Sequence, residues 1–367
     1  MKRLQQSKPD ENLADPTFSA ELIAWQKRHG RHNLPWQNTR DAYRVWLSEI
    51  MLQQTQVSAV IPYYQRFLER FPDCASLAAA SSEDVMALWS GLGYYSRARN
   101  LHQCAKDVMA RHGGRFPADP EQLAELPGIG RSTAAAIAAF SYGARAAIMD
   151  GNVKRVFARV FAVDGFPGDK AVENAMWQRA DALLPEQDLE AYTQGLMDLG
   201  ATVCTRGKPK CAVCPFTLRC LARQQGRTEE LPAKKPKKAV PEKSTAMLVL
   251  AYNGQVLLEQ RPAQGIWGGL LSLPELDVAE NSLLQRLRQT AESHGESEGY
   301  TALTPFSHTF THFKLHVAPY RVDLTRRHDQ AGEANTVWYD TSKLAGAPLP
   351  APVKKLLLAV FGSEGLF

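Results

Sequence analysis

The sequence predicts two unlike parts, an all-α region of about two hundred residues followed by a smaller α+β domain. Three observations carry this. Thr17 to about Ala222 shows apolar residues at helical spacing with hardly a strand signal. A composition break follows at about Gly226, where RTEELPAKKPKKAVPEKS holds three prolines and a basic run. From Thr245 the pattern turns to short β-rich runs. A chain of 367 residues is long enough for two or three domains.

Residues 1–16, polar with Pro9 and Pro16, read as a disordered tail. Leu22, Ile23 and Trp25 give the first amphipathic face, and Leu34-Pro35-Trp36 a loop. Helices are expected at 43–56, 58–69, 82–89, 94–111 and 120–125, then along the alanine-rich stretch after Gly130, and at 152–162, 170–183 and 189–202. In the second part TAMLVLAY and QVLLEQR flank Asn253-Gly254, a hairpin signal. LHVAPYRVD (315–323) alternates as a strand, and 351–361 reads as a closing helix over a sheet. Boundaries follow: a helical domain at 17–226, a basic proline-containing linker at 227–244 and a second domain at 245–367.

Composition sets wide bounds. Hydrophobic residues make up 44% and charged ones 22%, an ordinary globular balance, and the net charge of +5 permits an acidic partner such as DNA without requiring one. No apolar run approaches the roughly 20 residues that span a bilayer, and the N-terminus lacks an apolar signal core. The expectation is a cytoplasmic protein with no membrane partner.

Three features carry chemistry. Cys204-x6-Cys211-x2-Cys214-x5-Cys220 gathers four of the six cysteines within 17 residues. In a reducing compartment that spacing is a metal signal, suited to tetrahedral zinc or a [4Fe–4S] cluster; a single C-x2-C pair leans toward the cluster. Leu126-Pro127-Gly128-Ile129-Gly130 is a tight turn entering a helix, with Ser132 or Thr133 in its first turn. Free N–H groups there would seat a phosphate, although an ordinary helix–helix turn reads the same way. The last feature is a pair of carboxylates. Glu49 stands among apolar flanks in VWLSEIML, where desolvation would raise its pKa and suit it to donate a proton; a solvated surface glutamate is the plainer reading. Asp150 follows the apolar run AAIM and precedes Gly151-Asn152, which also fits a helix N-cap. Together they form a candidate pair for glycosidic chemistry.

With these residues set out, a resemblance becomes specific. LPGIGRSTAAAI resembles the helix-hairpin-helix motif of DNA glycosylases, DGNVKRV that superfamily's catalytic-aspartate segment, and the cysteine spacing its [4Fe–4S] loop. LPWQ, SEIMLQQTQV, GLGYYSRARNLH, MDGNVKRV and LGATVCTRGKPKC together are similar to the MutY-type adenine DNA glycosylases. WGGL (267–270) and FSHTFTHF (306–313) are similar to that family's C-terminal 8-oxoguanine-sensing, Nudix-like domain.

The resemblance implies a six-helix barrel over about 34–141, an iron–sulfur domain from 17–33 plus 142–226, and a monomer. Its implied partner is double-stranded DNA holding adenine opposite 8-oxoguanine or guanine, which would associate the protein with a bacterial nucleoid. It implies Glu49 as general acid, Asp150 as the stabiliser or transient partner of the sugar cation, and Asn152 as the residue that holds Asp150. Trp36 and Gln194 would line the adenine pocket. Gln54, Thr55, Leu92 and Tyr94 would contact the opposing base, and Phe310, Thr311 and His312 would occupy the lesion-sensing loop, with threonine replacing the family's serine. Gly128, Gly130 and Ser132 would hold the DNA backbone, and Cys204, Cys211, Cys214 and Cys220 the cluster.

Bifunctional relatives such as endonuclease III carry a Schiff-base lysine where this chain has Ser132, and a serine cannot form an imine. The second domain lacks a Gly-x5-Glu-x7-Arg-Glu-x2-Glu-Glu box, so nucleotide hydrolysis is not expected of it. An endonuclease III-like enzyme for oxidised pyrimidines and a catalytically silent DNA-binding protein stand as alternatives.

Overall fold

In the computed structural model the described residues are 13–235, 240–262, 265–276, 283–310, 312–328 and 335–362. The expectations for most of the N-terminal tail and for Thr311 fall outside them. The chain forms two compact units: residues 1–79 with 100–237, and residues 80–99 with 238–367.

The first unit is helical, and none of its described residues lies in a strand. Its helices are α1 (Pro16–His29), α2 (Ala42–Leu52), α3 (Val57–Arg70) and α4 (Cys74–Ala79). After the segment that belongs to the second unit come α7 (Pro120–Ala124), α8 (Arg131–Tyr142), α9 (Gly151–Val160), α10 (Lys170–Ala182), α11 (Leu189–Asp198) and α12 (Leu221–Gln224). Local chemistry starts them. Asp15, Asp41, Asp119 and Asp150 each accept backbone N–H groups from the first turn of α1, α2, α7 and α9. Phe18 and Leu22 of α1, Ala135 and Ala136 of α8, Val153, Val156 and Phe157 of α9 and Leu196 of α11 share one buried core.

Three predicted boundaries move, each for a backbone reason. α2 stops at Leu52 rather than running to 56, because Gln54 takes a left-handed φ of 57°. A helix expected from 94 begins at Ser96 (α6, Ser96–His112), since Tyr94 has φ 49°. α11 gives way after Asp198 to a π turn over Leu199–Val203. α4 is an element the sequence reading did not anticipate.

The second unit holds α5 (Ser82–Trp89), the start of α6, and a mixed sheet: β1 (Glu242–Tyr252), β2 (Gln255–Gln260), β3 (Leu271–Ser272), β4 (Glu275–Leu276), β5 (Gly295–Ser297), β6 (Thr301–Ala302), β7 (Phe306–Thr309), β8 (Lys314–Arg327) and β9 (Thr336–Asp340). The sheet path runs β3-β2-β1-β8-β5, with β1 and β8 parallel from Glu242↔Lys314 to Ala251↔Asp323. β1 therefore begins inside the stretch read as linker. Its residues Ala246 to Leu250 are all fully buried, as expected of a central strand covered on both faces. Leu248 and Leu250 pack with Leu287 and Ala291 of α13 (Leu283–His294), a helix not foreseen in the sequence; α14 (Ala351–Phe361) matches the closing helix expected there.

Candidate active site

The first unit carries a cleft of about 750 Å³ whose lining includes Trp36, Glu49, Phe140 and Gln194. Glu49 reaches it because α2 buries its other faces: Val45, Trp46, Leu47, Ser48, Ile50 and Met51 are all within the core. Partial burial and the nearby charge of Asp150, in that order, push the Glu49 carboxyl up to about 8. Trp36 is held by an edge contact to Tyr64, with ring centroids 5.4 Å apart.

Asp150 is both the N-cap of α9 and a neighbour of Glu49. Its Oδ1 accepts the N–H groups of Asn152 (2.9 Å) and Val153 (2.8 Å), and its Oδ2 accepts from the Asn152 side chain at 3.0 Å. Burial raises its carboxyl above the usual range, while these donors and Arg155 pull the other way. Asn152 is held in turn. Arg155 donates to its Oδ1 at 2.8 Å, to the Gly200 carbonyl at 2.6 Å and to the Cys204 carbonyl at 2.8 Å. A Cβ on Gly200 would lie 2.4 Å from the Asn152 Cβ, so only glycine lets the π turn close on α9.

The turn before α8 is built as the glycine pattern suggests. Gly128 has φ 78°, and a Cβ there would sit 2.9 Å from the Asn100 Cβ. Gly130 has negative φ and open space around it, so no contact within the chain calls for glycine. Both are exposed. The Ser132 hydroxyl accepts the Met149 N–H at 2.9 Å, which ties the start of α8 to the residue preceding Asp150. Gln53, overlooked in the sequence, bridges the end of α2 to this turn through the Gly128 carbonyl (3.4 Å). Gln54 and Thr55 lie beside it, Gln54 exposed.

Cys204, Cys211, Cys214 and Cys220 are unbridged and line one small cavity together with Arg159. Burial and the three other thiols push Cys214 up to about 12, and burial followed by neighbouring thiols raises Cys220. Arg159, buried and also missed in the sequence, donates to the Cys204 Sγ at 3.5 Å and to the Thr205 carbonyl at 2.7 Å. An arginine on the apolar face of a helix was the available signal.

In the second unit Leu92 is buried and Tyr94 is 51% exposed. Phe310 lies in an aromatic cluster with Trp267, His308 and Phe313, at centroid distances of 5.4, 4.6 and 4.8 Å. His312 is exposed. Among the described residues no three His, Cys, Asp or Glu side chains close on one ion-sized point.

A helical unit with a glycine turn, a carboxylate pair and a four-cysteine loop is similar in arrangement to the helix-hairpin-helix DNA glycosylases. Residues 47–181 match the model of the HhH-GPD superfamily of base excision DNA repair proteins, and residues 245–359 match the NUDIX domain. A solved thermostable thymine-DNA glycosylase aligns with a TM-score of 0.51 at 28% identity, covering 57% of this chain and 96% of its own.

Within that class the relatives are specific. The adenine DNA glycosylase of Buchnera aphidicola (Schizaphis graminum) is 36% identical over 93% of this chain and 97% of its own length. The human adenine DNA glycosylase is 35% identical over 81% of this chain and 65% of its length. The chain belongs to the adenine DNA glycosylase family. No described helix is long and apolar enough to cross a membrane.

Proposed function

We propose that the protein is a monofunctional glycosylase of base excision repair that hydrolyses the N-glycosidic bond of adenine opposite 8-oxoguanine or guanine. The observation that carries this is the carboxylate pair. Glu49 lies on the cleft wall with its proton affinity raised by burial and by Asp150, and Asp150 is held from behind by three N–H donors.

Adenine is a poor leaving group and is inaccessible in the stack, so it must be turned out into the cleft and protonated. Glu49, protonated at neutral pH, donates to the purine N7, which drains charge from the N9–C1′ bond. As that bond breaks, the sugar becomes cationic, and the fixed anion of Asp150 stabilises it. Glu49, now a carboxylate, takes a proton from water as the oxygen adds to C1′. Asn152 holds Asp150 in place, and Trp36 and Gln194 contact the base. Ser132 offers no amine, so the reaction ends at the abasic sugar.

The exposed Gly128–Gly130 turn suits a phosphate backbone, and the open space around Gly130 supports close approach. The family pattern assigns contact with the opposing base to Gln54, Thr55, Leu92 and Tyr94, and lesion sensing to Phe310, Thr311 and His312. The protein acts as a monomer, in the cytoplasm on nucleoid DNA.

The four thiols fit a [4Fe–4S] cluster. Tetrahedral zinc holds its sulfurs about 2.3 Å from one point. Here the four thiols line one cavity and feel one another's charge, and the single C-x2-C pair in their spacing favours the cluster over a zinc site. When bound, the cluster would keep the thiols ionised and brace the 204–220 loop.

The test is single-turnover base release from duplexes holding A opposite 8-oxoguanine, A opposite G, or an oxidised pyrimidine. Adenine release from the first two, with no strand scission, is expected. Release of the pyrimidine alone would overturn the reading.

A further inference from the structure

Asp198, the last residue of α11, is fully buried. Its Oδ2 accepts the Arg31 backbone N–H at 2.7 Å. Its Oδ1 accepts both the Arg31 Nε and the Gln194 Nε2, each at 2.7 Å. A buried ionised carboxylate only accepts hydrogen bonds, and a glutamine has one donor end and one acceptor end. Gln194 therefore has no choice of rotamer. One N–H of its NH2 is held by Asp198, which fixes the orientation of the amide and leaves Oε1 as its acceptor toward the cleft that Gln194 lines.

We infer that Asp198 is a positioning residue that selects 6-aminopurines over 6-oxopurines by locking Gln194 as an acceptor. This rests on the adenine-binding role of Gln194 proposed above. An exocyclic amine at C6 donates to Oε1. A C6 carbonyl, as in hypoxanthine, presents a second acceptor to it, and two buried acceptors facing each other lose the bond and keep the desolvation cost. A free amide would discriminate far less, because rotation by half a turn would offer either group.

Asp198→Asn removes the lock with little change of shape. The Arg31 backbone N–H cannot swing away, so the asparagine keeps its oxygen there and places its Nδ2 where Oδ1 stood. That nitrogen now donates, and Gln194 turns its Oε1 inward and its NH2 toward the cleft. The partly exposed Arg31 side chain, whose bond is lost, is free to move into solvent.

The experiment measures single-turnover release of adenine and of hypoxanthine, each placed opposite 8-oxoguanine, by the full chain, by Asp198→Asn, by Gln194→Leu and by the double variant. The expected result is an adenine-to-hypoxanthine ratio that falls at least about tenfold in Asp198→Asn, with no further change when that substitution is added to Gln194→Leu. General damage to the fold lowers both rates together and leaves the ratio standing, so an unchanged ratio in Asp198→Asn overturns the inference. So does a ratio that Asp198→Asn shifts equally with Gln194 already gone. If the unsubstituted chain releases no adenine, it is the adenine reading that fails; if it releases adenine and the variant ratios hold, only the Asp198 inference fails.

Discussion

The pH profile of the chemical step tests Glu49 most directly. With its carboxyl pushed up to about 8 by burial and by Asp150, about nine molecules in ten carry the proton at pH 7, against about one in three hundred for an ordinary glutamate. Single-turnover adenine release should hold level toward neutrality and fall about tenfold per pH unit above pH 8. Asp150 must stay ionised, and burial raises its carboxyl, so an acid limb should begin above the ordinary aspartate range. The pair gives a bell whose two limbs belong to the coupled site. Glu49→Gln should lose the alkaline limb and about 10²- to 10⁴-fold in rate. Stability gives an independent sign. Between the ordinary glutamate value of 4.5 and about 8 the folded state holds a proton that the unfolded state has released, so stability falls as pH rises through that window. Glu49→Gln should then raise the melting temperature more at pH 8.5 than at pH 5. A rate that climbs through pH 8, or a variant equally stabilised at both pH values, would refute the reasoning.

Other consequences are checked more simply. Asp150→Asn keeps a good N-cap, so melting should change little and duplex binding should persist while adenine release is lost; retained release would remove Asp150 from the chemistry. Gly128→Ala forces a Cβ against Asn100 at φ 78° and should cost about 1–3 kcal/mol with weaker duplex binding, measured by melting and by fluorescence titration. Ser132→Ala leaves the buried Met149 N–H without its acceptor, a loss of about 1–3 kcal/mol in denaturant unfolding. Protein purified without oxygen should be brown, with about four irons per chain, and lose both on Cys214→Ser; stoichiometric zinc in place of iron would exclude the cluster.

Much of this was legible in the sequence because the signals were local. Helix periods and proline and glycine breaks placed most helices, and the Asn253-Gly254 hairpin placed the first two strands. What escaped depended on contacts between distant segments. How far Glu49 is withdrawn from water depends on the fit of α2 in the core. Asp198 and Arg31 are 167 residues apart, and Gln53 meets the Gly128 turn across 75; no spacing rule joins them. The early stop of α2 and late start of α6 turned on single left-handed residues, Gln54 and Tyr94, neither of them glycine. Such strain at non-glycine positions is invisible to composition, and both fall on residues expected to meet DNA.

The helix cap that the structure gives Asp150 is compatible with the reacting role proposed for it. Burial alone would protonate both carboxylates and leave the sugar cation without an anion. The cap separates them: Asp150 takes two backbone N–H groups and the Asn152 amide at the positive end of α9, whereas Glu49 sits in the middle of α2, where helix N–H groups are already used. Desolvation is therefore opposed by hydrogen bonds at Asp150, whereas at Glu49 the neighbour's charge adds to it. Backbone geometry thus treats the two carboxyls differently, and Ser132, by accepting the Met149 N–H, ties the start of α8 to the residue before the cap. A lysine there would have no acceptor to offer that N–H, so the serine that on the proposed reading withholds an amine also supports the segment leading into Asp150.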